Sequence, residues 1–239
     1  MKYNVKIAIP FYKAAYSVLF VIILAFVRGI SDVREIGGAM DANIALLAMV
    51  FCADGYYQEV SGGRWEVFWL CPSKTKWQTL LQRFFLQITW LIIVAMAGYF
   101  VFYWQRPGKP EELSELALWL QFGFAVIGSI FFFGSLSFTL VNLWNNLWAG
   151  LGISAICWSL LNSTTGQKLP EALYVFAYGG KGIGLLDAGS EKWILGKFSA
   201  MVFGSLLLFL GGRKVKKTIW IPKQNNTGSQ KSIEKQKAG

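Results

Sequence analysis

The most constraining feature of this sequence is an uncharged stretch of 52 residues, 116–167, which contains no Asp, Glu, Lys or Arg. A helix that spans a bilayer needs about 20 apolar residues, so this stretch is too long for one span and long enough for two. Soluble domains carry about 25% charged residues, whereas this chain carries 15%. The sequence therefore predicts an integral membrane protein.

The remaining apolar runs bring the expected number of spans to six. Within the uncharged stretch, Asn142, Asn145 and Asn146 predict a tight inner turn that divides it into two helices. The alternative role of these residues is a second, minor contact with a partner. The predicted spans are residues 14–27, 36–53, 84–104, 116–138, 143–161 and 193–212. The expected fold is an all-α integral membrane protein, with a transmembrane domain over residues 1–212 and a basic, disordered cytoplasmic tail over residues 213–239.

The distribution of basic residues predicts the orientation of the chain, because Lys and Arg favour the cytoplasmic side of a membrane. With the N-terminus inside, the inner segments hold 15 basic and four acidic residues, and the outer segments hold eight basic and nine acidic residues. We therefore expect a multi-pass protein of the cell membrane with both termini in the cytoplasm and residues 162–192 outside.

The connection between the second and third predicted spans is both aromatic and charged. Trp65, Phe68 and Trp69 have the spacing of one helix face, and Pro72 ends that helix. Ser73 can cap a second helix, which then continues directly into the third span. We expect a short interfacial helix on the cytoplasmic side, serving either as an aromatic anchor in the bilayer or as a docking element for a cytoplasmic partner.

The sequence GGRWEVFWLCPSKTKWQTLLQRFF, residues 62–85, resembles the cytoplasmic segment of ABC-type-2 exporter permeases. Those proteins carry Gly, then Glu, an apolar stretch, Pro-Ser and a basic residue between spans two and three. The six-span layout with both termini inside also looks like that family. In the family this segment is a coupling helix that docks onto the ATPase subunit. The resemblance thus implies a coupling role for Gly63, Arg64, Glu66, Pro72, Ser73 and Lys74.

The resemblance implies that the chain is the permease subunit of an ATP-driven exporter of an amphipathic substrate, such as a drug, an antimicrobial peptide or a lipid-linked molecule. The implied partners are a cytoplasmic ATP-binding-cassette ATPase and a second permease copy or paralogue. Membrane lipid is a further expected partner, and nucleic acid is not. We expect no catalytic activity, cofactor or metal in this chain. The sequence has no histidine, which excludes a His-containing zinc site and a His-based triad.

Two other classes of protein compete with this interpretation. An autonomous channel or ion-coupled carrier would show buried charges or repeated half-structures. An intramembrane enzyme would need a pair of acids or a Ser–Lys dyad at membrane depth.

Several charged residues lie within or beside the predicted spans. A charge at the centre of a bilayer costs about 3 kcal/mol on insertion scales and often marks a transport pathway. Asp41 and Asp54 are 13 residues apart, about 20 Å along a helix, so we expect one at each membrane interface. Lys13 and Lys197 are expected to extend from span ends towards the lipid headgroups.

The sequence GGKGIG, residues 179–184, contains the glycines and lysine of a phosphate-binding loop without their order. The P-loop requires Gly-x4-Gly-Lys-Ser/Thr, whereas this lysine precedes Ile183 and no Ser or Thr follows. We expect instead an outer turn or a re-entrant hairpin, anchored at the interface by Tyr174, Phe176 and Tyr178.

Overall fold

The computed structural model describes residues 2–33, 35–55, 73–108, 114–170, 173–180 and 192–217. These residues form helices and no strand; the only bridge among them joins Asp32 to Gly108. The helices are α1 (Lys2–Ala8), α2 (Phe11–Val27), α3 (Glu35–Ala53), α4 (Ser73–Trp104), α5 (Glu115–Trp144), α6 (Leu147–Asn162), α7 (Thr164–Gln167), α8 (Ala177–Gly180) and α9 (Lys192–Lys217). The all-α prediction is confirmed for this part of the chain.

Four of the helices, α3, α4, α5 and α9, are long and apolar enough to cross a membrane. The other two apolar helices are shorter: α2 has 17 residues and α6 has 16, which correspond to about 25 Å against a hydrocarbon core of about 30 Å. The chain therefore has the helices of an all-α membrane protein. A total of six spans remains a prediction.

The direction of the first helices follows from the hydrogen bonds between them. Lys13 near the start of α2 donates to the carbonyl of Phe51 near the end of α3, at 2.8 Å, so α2 and α3 are antiparallel. The indole of Trp90 on α4 donates to Ser17 on α2 at 3.0 Å. Just beyond α4, Gln105 donates to the carbonyl of residue 25, at 2.6 Å. Helices α2 and α4 are therefore parallel.

The remaining long helices also run alternately in the two opposite directions. Ser137 on α5 donates to the carbonyl of Met49 on α3 at 2.7 Å, in the second half of both helices. Thr139 on α5 donates to the carbonyl of Leu207 on α9 at 3.0 Å. Helices α3, α5 and α9 thus run in one direction, and α2, α4 and α6 run in the other. The first residue of α2 and the last residue of α9 consequently lie at the same end of the bundle, which we call the terminal end; the opposite end is the distal end.

The turn between α5 and α6 has the predicted asparagine chemistry. Asn145 adopts the left-handed conformation with φ 50°, which asparagine tolerates better than most residues. Asn146 caps α6 by accepting hydrogen bonds from the amides of Trp148 and Ala149, as an N-cap residue does. Asn142 is different, because it lies within α5 and is buried, so its assignment to the turn was wrong.

Helix α3 is the central helix of the bundle, although Asp41 interrupts its apolar sequence. In its most apolar stretch, 72% of the residues are buried. The side chains of Ile36, Met40 and Phe51 are fully enclosed. Its largest interfaces are with α5, α4 and α6. A helix enclosed by neighbours in this way can carry a charged side chain whose partner comes from one of those neighbours.

Helix α4 begins at Ser73 and continues without interruption to Trp104, a total of 32 residues. This length corresponds to about 48 Å, well beyond the thickness of the hydrocarbon core. The helix expected to begin at Ser73 thus continues without a break through the apolar run of residues 84–104, and its location at the membrane interface stays a prediction. Leu80 and Phe84 are buried, while Phe85 is half-exposed. The first half of α4 therefore has one face packed on the bundle.

Helix α9 continues to Lys217, past the expected end of the transmembrane domain at residue 212. The rest of the tail, residues 218–239, and the predicted interfacial helix over residues 64–71 lie outside the described residues.

Candidate functional site

The strongest candidate for a functional site is an ion pair inside the helix bundle. Lys197 Nζ lies 2.6 Å from Asp41 Oδ2, and it also donates to Ser129 Oγ at 2.7 Å. Asp41 is 1% exposed and Lys197 is fully buried. An ion pair removed from solvent to this extent needs close geometry and additional hydrogen bonds to offset the loss of hydration.

Three parallel helices place the members of this site. Asp41 lies on α3, Ser129 on α5 and Lys197 on α9. Gly128 precedes Ser129, and a Cβ atom added there would lie 3.1 Å from Lys197 Cδ and 3.2 Å from its Cβ. The absence of a side chain at Gly128 thus makes room for the aliphatic part of Lys197 between α5 and α9.

The structure corrects the expectation that these charges lie at the membrane interfaces. Asp41 is enclosed by protein and Lys197 does not extend towards the headgroups, because each neutralises the other inside the bundle. The same applies to Lys13, which is 2% exposed and pairs with Asp54 at the terminal end of α3. Asp54 keeps 20% of its side chain exposed, so only this acid has the partial exposure of an interface position.

An aromatic segment over residues 173–178 covers the Asp41–Lys197 pair at the distal end. Tyr174, Phe176 and Tyr178 are each less than 10% exposed, so their predicted role as interface anchors was wrong. The ring of Phe176 stacks on Phe133 with centroids 5.5 Å apart and planes inclined by 8°. Lys197 Nζ lies 6.0 Å from the centroid of Phe176, within the range of a cation–π contact.

Tyr178 closes the segment against the start of α3. A Cβ atom added to Gly37 would collide with the ring of Tyr178, so the glycine allows this close approach. The ring also packs on Trp193, with centroids 4.9 Å apart. Burial raises the pKa of the Tyr178 phenol, and the negative charge of Asp41 raises it further. Tyr178 is consequently a neutral hydroxyl at physiological pH.

A cavity of about 310 Å³ lies beside the ion pair at the distal end of the bundle. Asp41 forms part of its wall together with the aromatic side chains Tyr174 and Phe176. The other polar lining residues are Arg28, Asn43, Asn162 and Gln167. These residues come from the ends of α2 and α6, the start of α3 and the short helix α7. Together with the aromatic segment, five separate elements therefore meet at the cavity.

The two oxygens of the Asp41 carboxylate differ in their surroundings. Oδ2 accepts from Lys197, whereas Oδ1 is buried without a hydrogen-bond partner among the described residues. Buried polar atoms are almost always paired with protein or with water. Oδ1 can therefore accept one further hydrogen bond, and Asp41 forms part of the cavity wall.

The residues predicted to couple to an ATPase are not brought to this site. Gly63, Arg64, Glu66 and Pro72 lie outside the described residues. Ser73 and Lys74 form the first turn of α4, and their side chains also lie outside the described part. Helix α4 begins at the terminal end of the bundle, opposite the cavity.

The pairing of Asp41 with Lys197 was missed because 156 positions separate the two residues. A signal was present in the spacing, since Asp41 comes six residues after Glu35 and Lys197 comes five residues after Lys192. In two helices that run in the same direction, those positions lie at the same depth.

Comparison with known proteins adds no assignment: no family model, curated protein or solved structure matches this chain. Among the described residues there is also no group of three or more His, Cys, Asp or Glu side chains that could hold a metal ion.

Proposed function

We propose that this chain is the membrane-spanning permease subunit of an ATP-driven exporter of the ABC type. The observation that carries the proposal is the unbroken helix α4, which begins at the Pro72-Ser73 step of the family-like segment and runs to Trp104. In this arrangement, a force applied at residues 63–74 acts on the end of a helix that crosses the whole bundle.

The packing of α4 supports this transmission. Trp77 and Phe84 contact Phe138 on α5, with ring centroids 6.4 Å and 5.4 Å apart. Gln87 donates to the carbonyl of Ala8 at 3.1 Å, which ties α4 to the helix before α2. Movement of the first turns of α4 therefore displaces α5 and the N-terminal helices, in the manner of rigid elements that shift between packed arrangements.

In the proposed mechanism, two permease subunits face each other across the transport pathway, and cytoplasmic ATPase subunits close on binding ATP. Closure pushes on the coupling segment, tilts α4 and changes the side of the membrane to which the pathway opens. The permease chain performs no covalent chemistry. The cell membrane, cytoplasmic termini and an amphipathic substrate are parts of the same proposal.

The test compares Glu66→Ala with Trp69→Ala in native membranes. Glu66 is expected to face the ATPase, so its loss should change stability by no more than about 0.5 kcal/mol while it lowers the amount of co-purified ATPase. Trp69 is expected to pack on the bundle, and loss of a buried aromatic costs about 3–5 kcal/mol, so the membrane abundance of that variant should fall first. An unchanged amount of ATPase co-purified with Glu66→Ala would overturn the coupling role. ATP hydrolysis by the purified chain alone would overturn the proposal that a separate subunit hydrolyses ATP.

An ion-coupled carrier is a second candidate, because the Asp41–Lys197 pair is a buried charge cluster of the kind that such carriers contain. The two candidates differ in their energy source. Uptake into inverted vesicles that continues with ATP after ion gradients are collapsed supports the exporter. Uptake that follows an imposed gradient without ATP supports the carrier.

A further inference from the structure

The cavity beside the Asp41–Lys197 pair has the composition of a ligand site. Asp41 is 1% exposed, yet its Oδ1 finds no hydrogen-bond donor among the described residues. The residue also forms part of the cavity wall, so a ligand in the cavity lies next to this carboxylate. A charged donor is the best match, since hydrogen bonds between an ammonium and a carboxylate are roughly twice as strong as neutral ones.

The surrounding side chains favour a primary ammonium group. An ammonium has three N–H donors and no acceptor, so it needs several acceptors in one place. Asn43 donates its amide nitrogen to the carbonyl of Ala39 at 2.7 Å, which leaves its oxygen available as an acceptor. Tyr174 and Phe176 add aromatic rings to the same cavity, and aromatic faces attract cations.

A positive group lines the same cavity. Arg28 is exposed at the end of α2, and its planar guanidinium matches the geometry of a carboxylate or a phosphate. Because Lys197 already neutralises Asp41, a ligand that brought only a positive charge would face the unbalanced charge of Arg28. A ligand that carries both an ammonium and an anionic group can pair with Asp41 and with Arg28.

We propose that this cavity binds a zwitterionic group, with its primary ammonium on Asp41 Oδ1 and its phosphate or carboxylate on Arg28. The volume of about 310 Å³ is large enough for a headgroup. Two sources supply this chemistry: a phosphoethanolamine lipid headgroup and the end of an amino acid or short peptide. The identification of such a ligand as exported cargo rests on the proposed function, whereas the binding site does not.

The test is calorimetric titration of the detergent-purified chain, without added phosphoethanolamine lipid, with three soluble probes. Glycerophosphoethanolamine carries a primary ammonium beside a phosphate. Glycerophosphocholine has the same phosphate, but its trimethylammonium group has no N–H to donate. Dialanine carries an ammonium and a carboxylate. We expect at least one of the two ammonium probes to bind about tenfold or more tightly than glycerophosphocholine.

Variants locate the binding in the cavity. Arg28→Gln should weaken binding of the ammonium probes about tenfold, whereas Arg106→Gln should leave it unchanged, since Arg106 is also exposed at the distal end and is not one of the cavity-lining residues. Asp41→Asn should remove the preference for ammonium over trimethylammonium. If Asp41→Asn does not fold, the probe comparison on the unaltered chain and the Arg28→Gln variant decide the question.

The possible outcomes distinguish a lipid headgroup from a peptide end, and they test the binding site separately from the proposed function. Binding of glycerophosphoethanolamine alone identifies a lipid headgroup, binding of dialanine alone identifies a peptide end, and binding of both identifies the shared chemistry. Equal binding of glycerophosphocholine, no binding of either ammonium probe at about 10 mM, or an unaffected Arg28→Gln variant would overturn the proposal. None of these results bears on co-purification of an ATPase, so failure of this site and failure of the proposed function are distinguishable.

Discussion

Removal of one charge from the Asp41–Lys197 pair is expected to destabilise the protein severely. Lys197→Met keeps a long unbranched side chain beside Gly128, but it leaves the Asp41 carboxylate without its cation. The side chains of the pair are 0% and 2% exposed, which places it in the class for which loss of one partner costs about 3–5 kcal/mol. An exposed pair would contribute about 0–1 kcal/mol. Burial therefore decides between the two magnitudes.

The double variant Asp41→Asn with Lys197→Met should recover most of this loss. It removes both charges, and replacement of a complete buried ion pair by neutral groups is often close to neutral. We expect its free energy of unfolding to lie within about 1 kcal/mol of the unaltered chain. The double-mutant cycle should consequently give a coupling free energy above about 3 kcal/mol.

The assay is reversible unfolding in mixed micelles, followed by the fluorescence of the chain's 11 tryptophans. Lys192→Met is the matched control, because Lys192 is an exposed lysine at the start of the same helix, and its loss should change stability by no more than about 0.5 kcal/mol. The reasoning is refuted if Lys197→Met behaves like this control, or if the two single effects add without coupling.

Two further predictions use the same assay. Gly37→Ala should destabilise the protein and expose the segment over residues 173–178 to proteolysis, because the new Cβ collides with Tyr178. Gly29→Ala is the control and should have little effect, because nothing lies within 4 Å of its Cβ. Equal effects of the two substitutions would contradict this packing. Lys13→Met should cost less than Lys197→Met, because Asp54 keeps 20% of its side chain exposed and water can solvate it when its partner is lost. The opposite order would contradict the assignment of Asp41 as the more deeply buried acid.

Several limits of the apolar helices could be predicted from the sequence, because apolar runs end there, whereas α5 continues to Trp144, beyond the predicted end at residue 138. Predicted residues 36–53 became α3 (Glu35–Ala53), and predicted residues 193–212 lie within α9. The short connection between α5 and α6 was also predictable, since Asn145 and Asn146 have the local conformations that asparagine favours. These features depend on neighbouring residues in the chain.

The candidate site depends on residues that are distant in the sequence. Asp41 was recognised as unusual, but its location could not be inferred without knowing that Lys197 lies on an adjacent parallel helix. The aromatic segment gave a misleading signal, because Tyr174 and Phe176 have the composition of interface anchors and yet pack on α5 and the ion pair. Single-sequence patterns distinguish apolar from polar positions, and they do not distinguish lipid from a neighbouring helix as the surroundings of an aromatic ring.

The proposed coupling segment, residues 63–74, and the cavity are expected to lie on opposite sides of the membrane. The most direct measurement is labelling of single cysteines with a membrane-impermeant maleimide, in a background in which Cys52, Cys71 and Cys157 are replaced. A cysteine at Gly179, at the distal end, should be labelled in intact cells. Cysteines at Ser61 and Ser229 should be labelled only after the membrane is permeabilised. Labelling of Ser61 in intact cells, or protection of Gly179 until permeabilisation, would contradict the account.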